Sequence, residues 1–123
     1  MAAVLILEDD FELAKSWQSA LQDADHTVTL TRSSAEALQH VKAQAFDVVI
    51  VDLMLDAPHD QPTASGIHFL RSLKSEEPLP KMIGVSGYYG SDKGDMAQTV
   101  LNVFGVQHFL LKPFDPKSLV DLL

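Results

Sequence analysis

The most constraining feature of the sequence is an unbroken apolar run, Val48-Val49-Ile50-Val51, which lies between two aspartates, Asp47 and Asp52. A short run rich in β-branched residues is typical of a strand that is buried on both faces of a parallel sheet. Such a strand delivers its last residue to the carboxyl edge of the sheet, where open α/β sheets bind their ligands. The sequence therefore predicts that Asp52 presents a carboxylate at a binding edge.

Four other strand-like segments alternate with amphipathic helical segments along the 123 residues. Alternation with short connections implies right-handed crossovers between parallel strands. The predicted fold is therefore α/β, a single doubly wound five-stranded parallel sheet flanked by five helices, and it occupies residues 1–123 as one domain. The other strands are predicted at about 4–7, 27–31, 81–86 and 107–111, and the helices at about 11–24, 33–41, 67–73, 92–104 and from 115 onward.

Short polar residues mark the beginning of three predicted helices. Asp10 is placed to cap the first helix, and Ser33 with Glu36 has the spacing of a capping box at the second. Asp115 followed by Pro116 predicts an N-cap and a first helical residue for the last helix.

The charge balance argues against two kinds of binding surface. Seventeen acidic and nine basic residues give a net charge of −8, which disfavours non-specific attraction to nucleic acid or to anionic membrane. The sequence has no cysteine, no signal-peptide pattern and no apolar run of membrane-spanning length. We therefore expect a cytoplasmic domain that binds neither nucleic acid nor membrane by itself.

Chemically useful side chains follow four of the five predicted strands. Glu8 and Asp9 follow the first, Asp52 ends the third, Ser86 ends the fourth and Lys112 follows the fifth. Parallel strands point the same way, so these groups should converge on one edge of the sheet. Three carboxylates held close together would raise one another's pKa unless a cation lay among them. The absence of histidine or cysteine at a strand end favours a hard ion, Mg²⁺ or Mn²⁺.

This charge pattern suits transfer of a phosphoryl group to Asp52. The three carboxylates, the lysine and a divalent ion sum to zero, so the site can accept further negative charge. Phosphorylation of Asp52 would replace one negative charge with about two. The metal, Lys112 and the hydroxyl of Ser86 would stabilise that charge while the carboxylate acts as the nucleophile.

The expected metal ligands are Asp9 and Asp52 directly, with Glu8 acting through a water molecule. The backbone carbonyl of Met54, two residues beyond the nucleophile, is the expected third protein oxygen. Tyr88 is expected at the pocket rim, where it would tune access to the phosphoryl group; an exposed loop aromatic without a role is the alternative.

The polar residues at the strand ends form a distinctive set. An acidic pair follows the first strand, an aspartate the third, a serine the fourth and Lys112-Pro113 the fifth. Together they resemble the receiver domain of two-component response regulators. The resemblance covers nearly the whole chain. It implies flavodoxin-like topology and Mg²⁺-dependent phosphotransfer to Asp52 from a histidine kinase or a histidine phosphotransfer protein. It also implies a signalling switch with slow self-catalysed hydrolysis, and not a turnover enzyme.

The resemblance implies further roles around the fifth strand. The Lys112-Pro113 peptide bond would be cis, Ser86 would move toward the phosphoryl group, and Phe109 would turn inward behind it. Because Phe109 lacks a hydroxyl group, the switch of the face formed by the fourth helix, fifth strand and fifth helix would be one of packing only. A homodimer through that face is a hypothesis from the resemblance.

One segment departs from the receiver pattern. Asp56 stands where the pattern usually has a proline, and the loop of residues 56–65 is longer by about six residues, a change that costs little free energy. A tolerated surface insertion and a loop that sets partner specificity or gates the pocket both remain open.

Two other classes of protein are alternatives. A phosphatase of the haloacid dehalogenase type also forms an aspartyl phosphate, but it needs a second aspartate where this chain has Met54, and it needs room for a cap domain. A pseudo-receiver would be an interaction module without phosphorylation; such modules typically lose the acceptor, the acids or the lysine, whereas all are present here. Binding of Mg²⁺ and a phosphoryl mimic would separate the pseudo-receiver from the receiver.

Overall fold

The computed structural model describes residues 1–53, 66–86 and 105–123. Within these ranges, the chain forms five strands and four helices. The strands are β1 (Ala3–Leu7), β2 (Thr27–Thr31), β3 (Val48–Asp52), β4 (Lys81–Ser86) and β5 (His108–Leu111), and the helices are α1 (Phe11–Asp23), α2 (Ser34–Ala43), α3 (Gly66–Leu73) and the C-terminal helix (Lys117–Leu122).

The five strands form one parallel sheet in the order β2-β1-β3-β4-β5. The strand order reverses beside β1, which places β3 at the centre with all five of its residues buried. Leu7 pairs with Val51, and Ser86 pairs with Leu111, so the carboxyl ends of β1, β3, β4 and β5 meet at one edge. The predicted doubly wound five-stranded sheet is confirmed, and its switch point lies at this edge.

Alternate residues of the central strands enter two separate cores, one on each face of the sheet. On one face, α1 and the C-terminal helix cover Val4, Ile6, Val48 and Ile50. On the other face, α2 and α3 cover the alternate residues of the same strands, Leu5, Leu7, Val49 and Val51. Burial on both faces explains why these strands are apolar without interruption.

Two of the predicted helix caps are confirmed. Asp10 Oδ1 accepts a hydrogen bond of 3.1 Å from the backbone N–H of Leu13 at the start of α1. Ser33 Oγ accepts one of 3.1 Å from the backbone N–H of Glu36 at the start of α2.

The C-terminal helix begins one residue later than the Asp115-Pro116 pattern predicts. Pro116 is its N-cap and has no capping side chain, whereas Asp115 Oδ1 accepts a hydrogen bond of 3.0 Å from the backbone N–H of Lys117. The proline already has helical φ and ψ of −54° and −24°. The helix boundary therefore differs from the prediction by one residue, while the carboxylate of Asp115 still accepts a hydrogen bond from the first turn.

Among the residues that the structure describes, two peptide bonds that precede proline are cis. The Lys112-Pro113 peptide bond is cis, as the resemblance implies, and Glu77-Pro78 is also cis, which the sequence did not indicate.

The predicted helix of residues 92–104 and the loop of residues 56–65 lie outside the described residues. Within the described ranges, no helix combines the length and the apolar character that crossing a membrane requires.

Candidate functional site

The carboxyl ends of β1 and β3 place three acidic residues side by side. Glu8 and Asp52 are 1% and 3% exposed, and Asp9 is partly buried. One carboxylate oxygen from each lies within 4.8 Å of the others. The convergence predicted for these residues is therefore present in the structure.

Lys112, which follows β5, joins two of the three acids. Its Nζ donates a hydrogen bond of 3.0 Å to Asp52 Oδ2 and also contacts Glu8 Oε1. The lysine side chain is only 18% exposed, so both contacts lie largely away from water, where electrostatic interactions are stronger. The ammonium group thus stands between the predicted nucleophile and one of its acidic neighbours.

The start of α1 holds Glu8 in place. Glu8 Oε2 accepts a hydrogen bond of 3.2 Å from the backbone N–H of Asp10, the residue whose side chain caps α1. The other carboxylate oxygen is thereby directed at Lys112. The cap of the helix and the orientation of the buried glutamate depend on the same residue.

Burial raises the pKa of Glu8 from 4.5 to about 8. The negative charge of Asp52 and a hydrogen bond with Asp9 act in the same direction, whereas the contacts with Lys112 and with the Asp10 backbone oppose the shift without overcoming it. Burial by itself would lower the pKa of Lys112, but its contacts with Glu8 and Asp52 outweigh burial and raise it. Burial and the neighbouring acids thus disfavour the charged form of Glu8, whereas Lys112 favours it.

The three carboxylates fit a divalent cation. Glu8 Oε1 is buried and pairs with the Lys112 ammonium group. The cluster supplies oxygen ligands alone, which suits Mg²⁺ or Mn²⁺ and not a softer metal. A divalent ion would add to the charge compensation that the Lys112 ammonium group provides to Glu8 and Asp52.

Gly66, the first residue of α3, packs directly against the backbone of Asp52. A Cβ atom at this position would lie 1.9 Å from the carbonyl oxygen of Asp52 and 2.9 Å from Val51 Cγ1. Such distances are far inside van der Waals contact, so only glycine lets the start of α3 approach the end of β3 this closely.

The remaining predicted site residues are placed only in part. Ser86 is the last residue of β4, at the same edge as the acids, but its side chain lies outside what the structure describes. Met54 and Tyr88 lie outside the described residues altogether. Phe109 on β5 is partly buried against the core under α2 and α3, beside Gly84 of β4.

Two aromatic residues adjoin the site in a way that sequence reasoning missed. The rings of Trp17 on α1 and Phe114 are stacked, with centroids 5.3 Å apart and planes inclined by 23°. Lys112 Nζ lies 5.8 Å from the centroid of the Trp17 ring. Helical periodicity identified Trp17 only as a core residue. The sequence feature that could have indicated this aromatic pair is Phe114, which directly follows Lys112-Pro113.

Residues 4–123 match the family model described as "Response regulator receiver domain". This chain belongs to that family. Receiver domains are signalling modules of two-component systems and generally bind Mg²⁺, and the cluster of Glu8, Asp9 and Asp52 could hold a metal ion.

Curated relatives with known names agree with this assignment. The response regulator ArlR of Staphylococcus aureus is 25% identical over 121 residues, which are 98% of this chain and 50% of ArlR. The CAI-1 autoinducer sensor kinase/phosphatase CqsS of Vibrio cholerae is 23% identical over 118 residues, which are 96% of this chain and 16% of CqsS. The chain thus spans half of the one relative and a small part of the other.

Solved receiver domains share the fold. A CheY-like response regulator receiver domain protein from Methanospirillum hungatei JF-1 superimposes with a TM-score of 0.82 at 23% identity, covering 99% of this chain and 90% of that one. The chemotaxis protein CheY4 of Vibrio cholerae gives a TM-score of 0.77 at 25% identity, covering 99% and 95%.

Proposed function

We propose that Asp52 accepts a phosphoryl group from the phosphohistidine of a histidine kinase or of a histidine phosphotransfer protein in the cytoplasm, in a reaction that requires Mg²⁺. The observation that carries the proposal is the environment of Asp52. This carboxylate is 3% exposed, receives a hydrogen bond of 3.0 Å from Lys112, and lies within 4.8 Å of carboxylate oxygens of Glu8 and Asp9.

In this proposal, Glu8, Asp9, Asp52 and the backbone carbonyl of Met54 hold the metal. The bound Mg²⁺ supplies positive charge that neutralises the oxygens of the transferring group. This chain's own contribution is a fixed nucleophile and a fixed ammonium group at one edge of the sheet.

Asp52 attacks the phosphorus atom through a carboxylate oxygen, forming a P–O bond as the P–N bond to the donor histidine breaks. The departing nitrogen keeps the electron pair of that bond, and the imidazole ring takes up a proton from the solvent. Lys112 and the hydroxyl of Ser86 donate hydrogen bonds to the phosphoryl oxygens, which carry the added charge. The product is an acyl phosphate on Asp52, which would later hydrolyse slowly.

The signal would leave the site through the fifth strand. Ser86, at the end of β4, would move toward the phosphoryl group, and Phe109 would follow inward. The ring already packs beside Gly84, the residue with which Phe109 is paired across the β4 and β5 strands. A homodimer formed by the face around β5 is a further hypothesis; sedimentation over a concentration series, with and without beryllofluoride, would overturn it if the monomer persisted throughout.

The test is the intact mass of the protein after incubation with Mg²⁺ and acetyl phosphate. We expect one phosphoryl adduct that disappears with Asp52→Asn and with a chelator. Asp47→Asn is the matched control, because Asp47 lies at the opposite end of β3, where its Oδ2 accepts a hydrogen bond from the backbone of Ala3; the adduct should persist.

The other outcomes are also decisive. An adduct that forms without Mg²⁺ or on Asp52→Asn would show that the assembled site is the wrong one. Absence of both an adduct and Mg²⁺ binding would favour the pseudo-receiver, an interaction module with this fold. Rapid release of phosphate over many turnovers, without accumulation of an adduct, would favour a phosphatase.

A further inference from the structure

We propose that Trp17 and Phe114 form an aromatic clamp that positions the Lys112 ammonium group beside Asp52. The proposal rests on the phosphoacceptor role of Asp52 for its functional meaning, but the geometry of the clamp can be tested independently. Trp17 and Phe114 are positioning residues here, because they act through Lys112 and not on the phosphoryl group.

Trp17 lies next to the lysine ammonium group, and Phe114 holds the chain segment that follows the lysine against Trp17. Trp17 projects from α1 and is 1% exposed, so its ring is held firmly in the core formed with the C-terminal helix. Phe114 stacks on that ring at 5.3 Å and lies two residues beyond Lys112 in the chain. The stack therefore anchors the segment after β5, and the same indole ring lies 5.8 Å from Lys112 Nζ.

A cation within about 6 Å of an aromatic centroid is attracted by the ring quadrupole, and tryptophan provides the strongest attraction of the aromatic residues. The interaction is stronger when the cation is desolvated, and the Lys112 side chain is only 18% exposed. A lysine side chain is otherwise flexible, with several rotatable bonds. The indole ring thus favours the rotamers that leave the ammonium group near Asp52.

The ring also differs in kind from Glu8 and Asp52, two acids that contact Lys112. Both acids belong to the carboxylate cluster that could hold a cation, and Asp52 is the proposed acceptor. Their electrostatic attraction for Lys112 changes when a cation binds beside them or when Asp52 is phosphorylated. The indole ring of Trp17 neither titrates nor binds Mg²⁺, so its attraction for Lys112 persists through those changes. We infer that this contact keeps the ammonium group in place while its anionic partners are engaged elsewhere.

The geometric test is NMR of the full chain with 13C-labelled lysine, without any phosphodonor. Protons near the face of an indole ring resonate upfield, so the ε-methylene of Lys112 should be shifted, and Lys112→Met identifies its signal by loss. Trp17→Leu should abolish the upfield shift, and Phe114→Leu should reduce it. Leu21→Val is the control, because Leu21 is fully buried one turn further along α1 in the same core, and the shift should survive.

The functional test is the rate of Asp52 phosphorylation by acetyl phosphate with saturating Mg²⁺, corrected for the folded fraction. Trp17→Leu should slow phosphorylation by roughly fivefold to thirtyfold, the range expected for loss of a desolvated cation–π contact. The affinity for Mg²⁺ should change less than the rate, since the ring touches no proposed ligand. Trp17→Phe should recover most of the rate, and Leu21→Val should match the wild type.

Either of two results would overturn the clamp. One is a Lys112 ε-methylene that is not shifted upfield in the wild type, a measurement that needs no folded variant. The other is equal slowing by Trp17→Leu and Leu21→Val, which would reduce Trp17 to a packing residue. If the wild type shows the shift but takes up no phosphoryl group, the clamp stands and the proposed function fails.

Discussion

Lys112 Nζ lies 3.0 Å from Asp52 Oδ2, and this hydrogen bond joins residues 60 positions apart in the sequence. The two residues belong to the ends of β5 and β3, which are separated in the sheet by β4. The lysine side chain therefore reaches past an intervening strand. The length of the side chain brings the ammonium group to Asp52, and its positive charge pairs with the carboxylate.

Replacing Lys112 by methionine keeps most of the apolar stem and removes the ammonium group. The three acids would then lose their nearby positive charge, so we expect Mg²⁺ to bind at least about fivefold more tightly. Phosphorylation of Asp52 should slow by about a hundredfold or more, as expected for loss of one donor to a developing charge. Isothermal titration and intact mass measure the two effects.

The matched control for this substitution is Lys117→Met, since Lys117 is an exposed lysine of the C-terminal helix. It should leave Mg²⁺ affinity and the phosphorylation rate unchanged. An unaltered rate in Lys112→Met would remove the lysine from the proposed chemistry.

The raised pKa of Glu8 predicts how the stability of the metal-free protein depends on pH. Glu8 titrates at about 8 when folded and at the ordinary value of 4.5 when unfolded. Between these values the folded state binds more protons, so stability falls as pH rises, by at most about 1.4 kcal/mol per pH unit. The contribution of Glu8 is complete below about pH 4.5 and is lost as the pH passes through about 8. Lys112 adds no slope in this window, because its pKa is raised from 10.5.

Urea unfolding in the presence of a chelator, at several pH values between 5 and 8, measures this effect when the wild type is compared with Glu8→Gln. The carboxamide does not titrate, so the stability of the wild type relative to the variant should decline across the range. Parallel pH profiles for the two proteins would show that Glu8 has an ordinary pKa in the folded state.

Gly66→Ala should destabilise the protein strongly. The added Cβ would meet the Asp52 carbonyl oxygen at 1.9 Å, and because that atom belongs to the backbone, relief requires moving α3 away from β3. We expect a loss of about 2 kcal/mol or more in the free energy of unfolding. In Gly84→Ala, the added Cβ meets only side-chain atoms at 3.4–3.5 Å, so its cost should be smaller. Equal costs from urea unfolding would contradict the close approach.

Asp10→Ala should lower the free energy of unfolding by about 1 kcal/mol, because it removes the side chain that caps α1. Asp10→Asn should retain most of this stability, since asparagine caps helices about as well as aspartate. The backbone N–H that binds Glu8 persists in both variants, so Mg²⁺ binding should survive in each. If thermal unfolding gave Asp10→Asn the same stability as Asp10→Ala, the cap would contribute through its charge alone.

Much of the fold and of the site could be predicted because each depends on short, local patterns. The run from Val48 to Val51 indicated a central strand, and the parallel arrangement then required Asp52 and Lys112 to meet. The sequence could not distinguish the burial of Glu8 from that of Asp9, because the direction of two adjacent side chains after a strand depends on the turn that follows. In the structure, the backbone of Asp10 turns Glu8 inward.

Contacts between distant side chains could not be predicted in the same way. Periodicity placed Trp17 in the core, but its distance from the Lys112 ammonium group depends on rotamers and on how α1 packs against the C-terminal helix. The roles of Met54 and Tyr88, the hydroxyl of Ser86 and the switching of Phe109 stay predictions.

The placement of Lys112 after β5 has a consequence for biosynthesis. Glu8 and Asp52 are translated long before the lysine that lies between them, and β5 joins the sheet only by pairing with β4. A ribosome-bound chain that has not yet exposed β5 carries these two acids without their ammonium partner. Chains generally fold from the N-terminus during synthesis, so the two acids are made before the ammonium group that lies between them, and their contacts with Lys112 form only after β5 has been made.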